Sequence, residues 1–120
     1  MTAVTEAAVI YRLEACTRAA LAADFDPVPW EDAPVWRRHA ALAVALAALN
    51  TNNPDHTRAA WVTEMCNQGW RWSQEFNEQQ KTSPGIVFGE LTRSGTNHWL
   101  AVIKAVREVG KARGVRMLGA

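Results

Sequence analysis

The sequence predicts a mainly α protein, a compact four-helix domain with a minor two-stranded β ribbon. Two observations lead to this prediction. Four segments place apolar residues three and four positions apart, which aligns them on one face of an α-helix. Between the third and fourth segments, only two short pieces have strand character, too few for a sheet of their own. The 120 residues fit one domain, with a core at about residues 5–110 and a basic C-terminal tail at 111–120.

The composition is that of a folded domain without a strong net charge. Hydrophobic residues make up 48% of the chain, and 13 basic against 12 acidic residues leave a formal charge of +1. We therefore expect neither a nucleic-acid partner nor an anionic membrane surface. Every apolar run is shorter than the roughly 18 residues of a membrane span, which favours a cytoplasmic protein. Cys16 and Cys66 lack a C-x-x-C partner and are predicted to be buried free thiols.

The first two helices are predicted at about residues 5–23 and from Asp32 to Asn50. In the first, an apolar stripe runs through Val9, Ile10, Leu13, Cys16, Ala20 and Leu21. Three prolines, Pro27, Pro29 and Pro34, then predict an extended connector whose Trp30 closes the core. The second helix, with Asp32 as its cap, is apolar nearly all round and is the expected spine of the core.

The last two helices frame the aromatic part of the chain. Pro54 suits the first position of a helix that Gly69 ends. The final helix is expected to begin near Ser94 or Thr96 and to weaken at Gly110. Its apolar face consists of Trp99, Val102, Ile103, Val106 and Val109. The two pieces with strand character are residues 70–72 and 86–88, and Trp70 is expected in the core.

The stretch from Trp61 to Leu91 combines aromatic and basic residues in a way that suits a nucleotide. A base stacks on an aromatic ring, and a phosphate needs cations. The predicted ligand-binding residues are Trp61, Trp72, Phe88 and Trp99 for stacking, Arg58, Arg71 and Lys81 for phosphate, and Asn77, with Ser83 and Glu90, for the base edge. Two roles stay open for Trp99, which either closes the pocket or fills the core, and tryptophans in general are often core anchors.

Catalytic motifs are absent from the sequence. Neither a Gly-rich phosphate loop nor a zinc-binding pattern occurs, and the three histidines, His39, His56 and His98, fall near predicted helix starts or solvent-facing positions. We therefore expect no enzyme activity, no cofactor and no metal.

The same stretch resembles the ryanodine-receptor repeat (RyR) domain family. The positions that match the family are Trp61, Gly69, Trp70, Lys81, Pro84, Val87 and Leu91. The segments IYRLEACTRAAL and PWEDAPVW and the final helix are similar in order and spacing to small stand-alone phage and bacterial members, so the resemblance covers most of residues 8–107. The chain is a divergent relative, with Trp72, Ser73, Asn77, Ser83, Gly85 and Phe88 where the family has other residues.

The resemblance implies a non-enzymatic RyR-like domain that binds a nucleotide-derived small molecule, such as a cyclic nucleotide or an ADP-ribose-like compound. For a phage-derived protein it further implies sequestration of that signal from host antiviral defence, in the host cytoplasm. We also expect a homodimer. The alternative is a protein–protein interaction module in which every tryptophan is structural.

Overall fold

The structure, a computed structural model, describes residues 6–23, 29–87 and 89–115, with side chains from residue 13 onward. Its elements are the helices α1 (Glu6–Ala22), α2 (Val35–Asn50), α3 (Pro54–Asn67) and α4 (Arg93–Ala112), a 3-10 turn at Trp30–Asp32, and the strands β1 (Arg71–Trp72) and β2 (Thr82–Ser83). The predicted mainly α, four-helix domain with a small ribbon is therefore confirmed. Among the described helices, none combines the length and apolar character that crossing a bilayer requires.

Helix α2 is the spine of the core, as predicted. It packs against α1, α3 and α4, and its small side chains let the other helices approach closely. Its buried residues are Ala40, Ala41, Val44, Ala45, Ala48 and Leu49. The predicted start at Asp32 is wrong, because Asp32 belongs to the preceding 3-10 turn and Pro34 occupies the N-cap position without a side-chain cap.

The described part of the proline-rich connector is a turn, which corrects the predicted extended form at Trp30. The Trp30 ring is half-buried against the core, as expected for a residue that closes it. Two guanidinium groups lie over the ring, with the Arg18 and Arg38 Cζ atoms 4.9 and 5.0 Å from its centroid. Arg38 Nη2 also donates to the Trp30 carbonyl at 2.8 Å, so the turn is fixed to α2.

Helix α3 ends at the predicted glycine. Gly69 has a φ of 92°, and the backbone N–H groups of Gly69 and Trp70 donate to the Cys66 and Met65 carbonyls at 2.9 and 3.0 Å. These are the two hydrogen bonds of a Schellman motif. The motif turns Trp70 back onto Met65 in the core, where it is 3% exposed, so the predicted burial of Trp70 is confirmed.

The ribbon forms from a different second strand than the sequence predicts. β1 pairs in parallel with Thr82–Ser83, whereas Ile86 is buried in the core and Phe88 lies outside the described residues. The cause is a tight turn after Asn77, where the backbone of Asn77 and Thr82 exchange two hydrogen bonds of 3.0 Å. Because this turn brings Thr82 alongside β1, Thr82–Ser83 takes the place of the predicted second strand. Ile86 is apolar because it is buried in the core.

Helix α4 begins earlier than predicted. Thr92, instead of Ser94 or Thr96, is the cap, and its Oγ1 accepts from the Gly95 N–H at 3.1 Å. The helix continues through Gly110, which is buried where an added Cβ would lie 3.0 Å from Leu49 Cδ2. Gly110, where a weakened helix end is predicted, thus permits close packing against α2. The predicted apolar face is confirmed, with Val109 only partly buried.

The two cysteines differ in environment, contrary to the prediction that both are buried. Cys16 is fully buried on α1, and this burial raises the pKa of its thiol. Cys66 is exposed on α3. Four residues of the predicted α1 stripe face the core: Leu13, Cys16, Ala20 and Leu21. The side chains of Val9 and Ile10 lie outside the described part of the chain, as do Pro27 and the tail from residue 116.

Candidate functional site

A cleft of about 660 Å³ opens between the helices and the segment that follows the ribbon. Its volume lies within the roughly 300–1,000 Å³ that is typical of small-molecule sites. Helices α2, α3 and the start of α4 form one side, and residues 83–87 and 89–91, here called the loop wall, form the other. The lining residues are Trp36, Arg37, Arg58, Trp61, Met65, Phe76, Ser83, Pro84, Gly85, Val87, Glu90, Leu91, Thr92, Gly95 and Trp99.

Trp61 and Trp99 form the aromatic floor of the cleft. Their ring centroids are 6.2 Å apart and the ring planes are inclined by 53°. Trp61 is half-buried and packs against two hydrophobic clusters of the described residues, one between α1, α2 and α4 and the other around Met65 and Trp70. Trp99 is 5% exposed yet lines the cleft, so it fills the core and closes the pocket at once.

A second aromatic group lies at the cleft, built on α2 and the ribbon. The Trp36 ring is tilted by 44° against the buried Trp70, with the ring centroids 4.6 Å apart, and Phe76 lies 6.4 Å from Trp36 and 5.6 Å from Trp70. The Trp36 indole N–H donates to Glu78 Oε1 at 2.6 Å, which ties the turn of the ribbon to α2. Phe76 remains 55% exposed and presents a ring that a ligand can cover.

The loop wall approaches the aromatic floor closely at Gly85. A Cβ at this position would lie 3.1 Å from Trp61 Cη2, so a side chain there would press on the ring. The Gly85 N–H donates to Ser83 Oγ at 3.1 Å, which fixes the turn at the start of the wall. Glycine at this position therefore sets how near the loop wall lies to Trp61.

Arg58 joins the loop wall to α3. Its side chain is buried, and Nη1 and Nη2 donate to the Val87 and Gly89 carbonyls, both at 2.6 Å. The Asp55 carboxylate lies 4.0 Å from Nη2, one helical turn earlier on α3. The guanidinium is thus engaged by backbone oxygens on both of its terminal nitrogens.

Two other charged side chains line the cleft, Arg37 from α2 and Glu90 from the loop wall. Arg37 is partly buried, with its Cζ 5.9 Å from the Trp36 ring centroid, and Glu90 is exposed. The first turn of α4 also borders the cleft through Thr92 and Gly95. The N-terminus of a helix carries a partial positive charge, which favours anions nearby. The cleft therefore combines apolar rings with groups of both charges.

The structure brings three of the predicted ligand-binding residues together, Trp61, Arg58 and Trp99, and with them the predicted edge groups Ser83 and Glu90. The other four described residues of the prediction do not line the cleft: Trp72, Arg71, Lys81 and Asn77. Phe88 lies outside the described residues.

The four residues away from the cleft sit on the ribbon and its turn. Lys81 Nζ donates to the Gln68 carbonyl at the end of α3, at 2.9 Å, and Lys81 has a φ of 56°. Asn77 Oδ1 accepts from the Gln80 N–H at 3.0 Å within the turn. Trp72 is 54% exposed, and Arg71 is exposed beside it on β1.

Several lining residues were missed by the sequence analysis. The clearest are Trp36, Arg37, Met65, Phe76, Leu91 and Thr92. A signal existed for Trp36, because it precedes the buried Ala40 and Val44 by four and eight residues and so shares their helix face. Phe76 has no comparable signal, since its position depends on the turn that follows it.

The fold and the cleft together define a mainly α domain with a ligand-sized aromatic site. No protein-family model, no curated protein and no solved structure matches the chain. Within the described ranges, no group of three or more His, Cys, Asp or Glu side chains is placed to hold a metal ion.

Proposed function

We propose that the protein is a non-enzymatic binding protein for a nucleotide-type signalling molecule, as the RyR-domain resemblance implies. The observation that carries the proposal is the cleft of about 660 Å³ with Trp61 and Trp99 on its floor and Trp36 and Phe76 beside it. Flat aromatic faces in a concave site suit a nucleobase, because stacking contributes about 1–3 kcal/mol per base.

The polar groups of the cleft favour a ligand that carries hydrogen-bonding groups and a phosphate in addition to an aromatic ring. Glu90 can accept hydrogen bonds from the amino group of a base, and Arg37 and the first turn of α4 favour a phosphate. A cyclic nucleotide and an ADP-ribose-like compound both carry these parts. Their size is also compatible with the volume of the cleft.

The proposed biological role is sequestration. A phage-derived protein of this kind would bind the signal in the host cytoplasm, leave it chemically unaltered, and so keep it from an antiviral effector. Recovery of the intact ligand after incubation with excess protein would support this role, whereas recovery of a cleaved product would identify an enzyme instead. A homodimer belongs to the proposal, and sedimentation equilibrium tests it.

The first experiment is a thermal-shift screen against cyclic mononucleotides, cyclic dinucleotides, ADP-ribose and its cyclic isomers, NAD and ATP. A ligand at a hundredfold excess over its Kd stabilises the native state by about 2.7 kcal/mol, which raises the Tm of a domain of this size by several degrees. A shift for one class, abolished in a Trp61→Leu variant that stays folded by circular dichroism, would support the proposal. A flat panel would contradict it.

The alternative function is a protein–protein interaction module. It is favoured by the apolar side chains that remain open to solvent, of which Val35 is 67%, Phe76 55% and Trp72 54% exposed. Under this alternative the panel stays flat and a substitution of Val35 on α2 weakens a partner complex. Under the ligand proposal the same substitution leaves nucleotide binding unchanged.

A further inference from the structure

We propose that Arg58 is a positioning residue, which holds the loop wall at a fixed distance from α3 and thereby sets the width of the cleft. The inference rests on the proposed function, because it assigns the wall a role in ligand binding. It also replaces the direct phosphate contact that the sequence predicts for Arg58 with a contact inside the protein.

The geometry of the guanidinium carries this inference. Both terminal nitrogens donate to backbone carbonyls, those of Val87 and Gly89, at 2.6 Å, and the residue is 7% exposed. Short hydrogen bonds from a charged donor are strong, and the fork of a guanidinium matches two acceptors held at a fixed spacing. Two of the five guanidinium N–H donors are thereby used on backbone oxygens of the wall, one from each terminal nitrogen.

The loop wall depends on this contact in its middle. Apolar packing fixes the wall on both sides of this contact, since Ile86 is 3% exposed in one core cluster and Leu91 packs partly buried against the other. The described residues between them, Val87, Gly89 and Glu90, are all exposed. The two hydrogen bonds from Arg58 therefore tie the exposed part of the wall to α3.

Asp55 supports the arrangement from the same helix. Its carboxylate lies 4.0 Å from Arg58 Nη2 and is largely open to solvent. An acidic partner one turn away favours the orientation in which the fork points at the loop, and it offsets part of the positive charge that the cleft would otherwise receive. These contacts therefore orient the Arg58 guanidinium toward the backbone carbonyls of the loop wall.

The test compares Arg58→Lys with Arg107→Lys, a matched change. Arg107 Nε also donates to a backbone carbonyl, that of Ala48 at 2.8 Å, but two helical turns beyond Trp99 and away from the cleft lining. Lysine keeps the charge, yet a single ammonium lacks the planar fork that binds both carbonyls of the wall. Hydrogen exchange without ligand should become faster across residues 84–91 in Arg58→Lys and stay unchanged there in Arg107→Lys.

A second variant tests the same inference with a change that should leave the domain folded. Asp55→Asn removes the carboxylate at a largely exposed position, so the domain should remain folded, and it should increase exchange in the same segment by a smaller amount. Unchanged exchange at residues 84–91 in both Arg58→Lys and Asp55→Asn would overturn the inference. This outcome does not depend on whether any nucleotide binds.

Binding measurements distinguish a positioning role of Arg58 from a direct contact between Arg58 and a charged group of the ligand. Titration with cyclic AMP and with ADP-ribose should give a Kd weakened by roughly 10- to 100-fold in Arg58→Lys. The dependence of Kd on salt should match that of the wild type, because no ligand charge contact has been lost. Wild-type affinity in Arg58→Lys, with weaker and less salt-dependent binding in Arg58→Gln, would identify a direct contact and overturn the inference. If the wild type binds neither probe, the proposed function fails at these ligands while the exchange experiment still decides the role of Arg58.

Discussion

On one side of the cleft, Trp61 and Trp99 project from helices that pack against α2. The loop wall on the other side has exposed residues between two that pack in the core, Ile86 and Leu91. The helical side is a continuation of the hydrophobic core. The loop side is held in its middle by two hydrogen bonds from one buried arginine. A site built in this way has a rigid surface for stacking and an opposite surface whose position can change with little effect on the core.

This difference predicts how substitutions divide between stability and binding. Changes on the helical side should lower the free energy of unfolding first, and binding as a consequence. Changes on the loop side should lower affinity while the domain stays folded. The following predictions test this division, beginning with the largest expected effect.

Trp99→Ala should destabilise the domain by roughly 3–5 kcal/mol, because it removes a 5% exposed ring from the core and leaves a cavity. Urea denaturation followed by circular dichroism measures the loss. Trp99→Phe keeps most of the apolar volume and should cost distinctly less. Equal stability of Trp99→Ala and the wild type would show that the floor of the cleft is not part of the core.

Gly85→Ala should weaken binding of the strongest ligand of the screen by roughly tenfold, with a stability loss of about 1 kcal/mol. The added Cβ would lie 3.1 Å from Trp61 Cη2, so either the ring or the loop wall must shift. Gly89→Ala is the matched control, since a Cβ there meets no atom within 4 Å and the carbonyl that accepts from Arg58 is retained. Equal affinities of the two variants would contradict the close approach at Gly85.

Lys81→Ala should destabilise the domain by about 1 kcal/mol, because it removes the hydrogen bond to the Gln68 carbonyl at the end of α3. Lys81→Gly loses the same bond but relieves the φ of 56°, so it should be more stable than the alanine variant by about 1 kcal/mol. Thermal denaturation compares the two. A stable fold with strongly reduced nucleotide affinity in both variants would instead support the ligand role predicted from the sequence.

Trp72→Phe should have the smallest effect, within about 0.5 kcal/mol of the wild type. Its ring is 54% exposed and does not line the cleft, so nucleotide affinity should also stay unchanged. Trp61→Phe is the matched change inside the cleft and should weaken binding. Titration of both variants with the same nucleotide checks the pair, and a larger loss in Trp72→Phe would move the site to the ribbon.

The helices could be predicted from the sequence because their signals are local. Pro54 and Gly69 mark the limits of α3 through backbone conformation, and the spacing of apolar residues identifies the buried face of α4. The second strand could not be predicted, because a two-residue strand is defined by its partner and not by its own composition. Thr82 and Ser83 have no apolar alternation, and only the preceding turn brings them to β1.

The residues of the candidate site likewise differ in whether the sequence predicts their role. Trp61 and Trp99 are large apolar residues on predicted helices, so their inward orientation follows from helical spacing. The roles of Lys81 and Asn77 depend on the conformation of a turn, which the order of residue types does not reveal. Arg58 was predicted at the site, yet its two carbonyl partners are about thirty residues away along the chain and become visible only in three dimensions.

The distribution of the six tryptophans gives the protein a built-in optical reporter. Trp36, Trp61 and Trp99 line the cleft, and Trp70 is buried behind Trp36. Trp30 is half-buried away from the cleft lining, and Trp72 faces solvent. Buried indoles emit at shorter wavelengths than solvated ones, so the fluorescence spectrum should contain two separable populations. An occupant stacked in the cleft would quench the blue-shifted emission and leave the red-shifted emission of Trp72 as an internal standard.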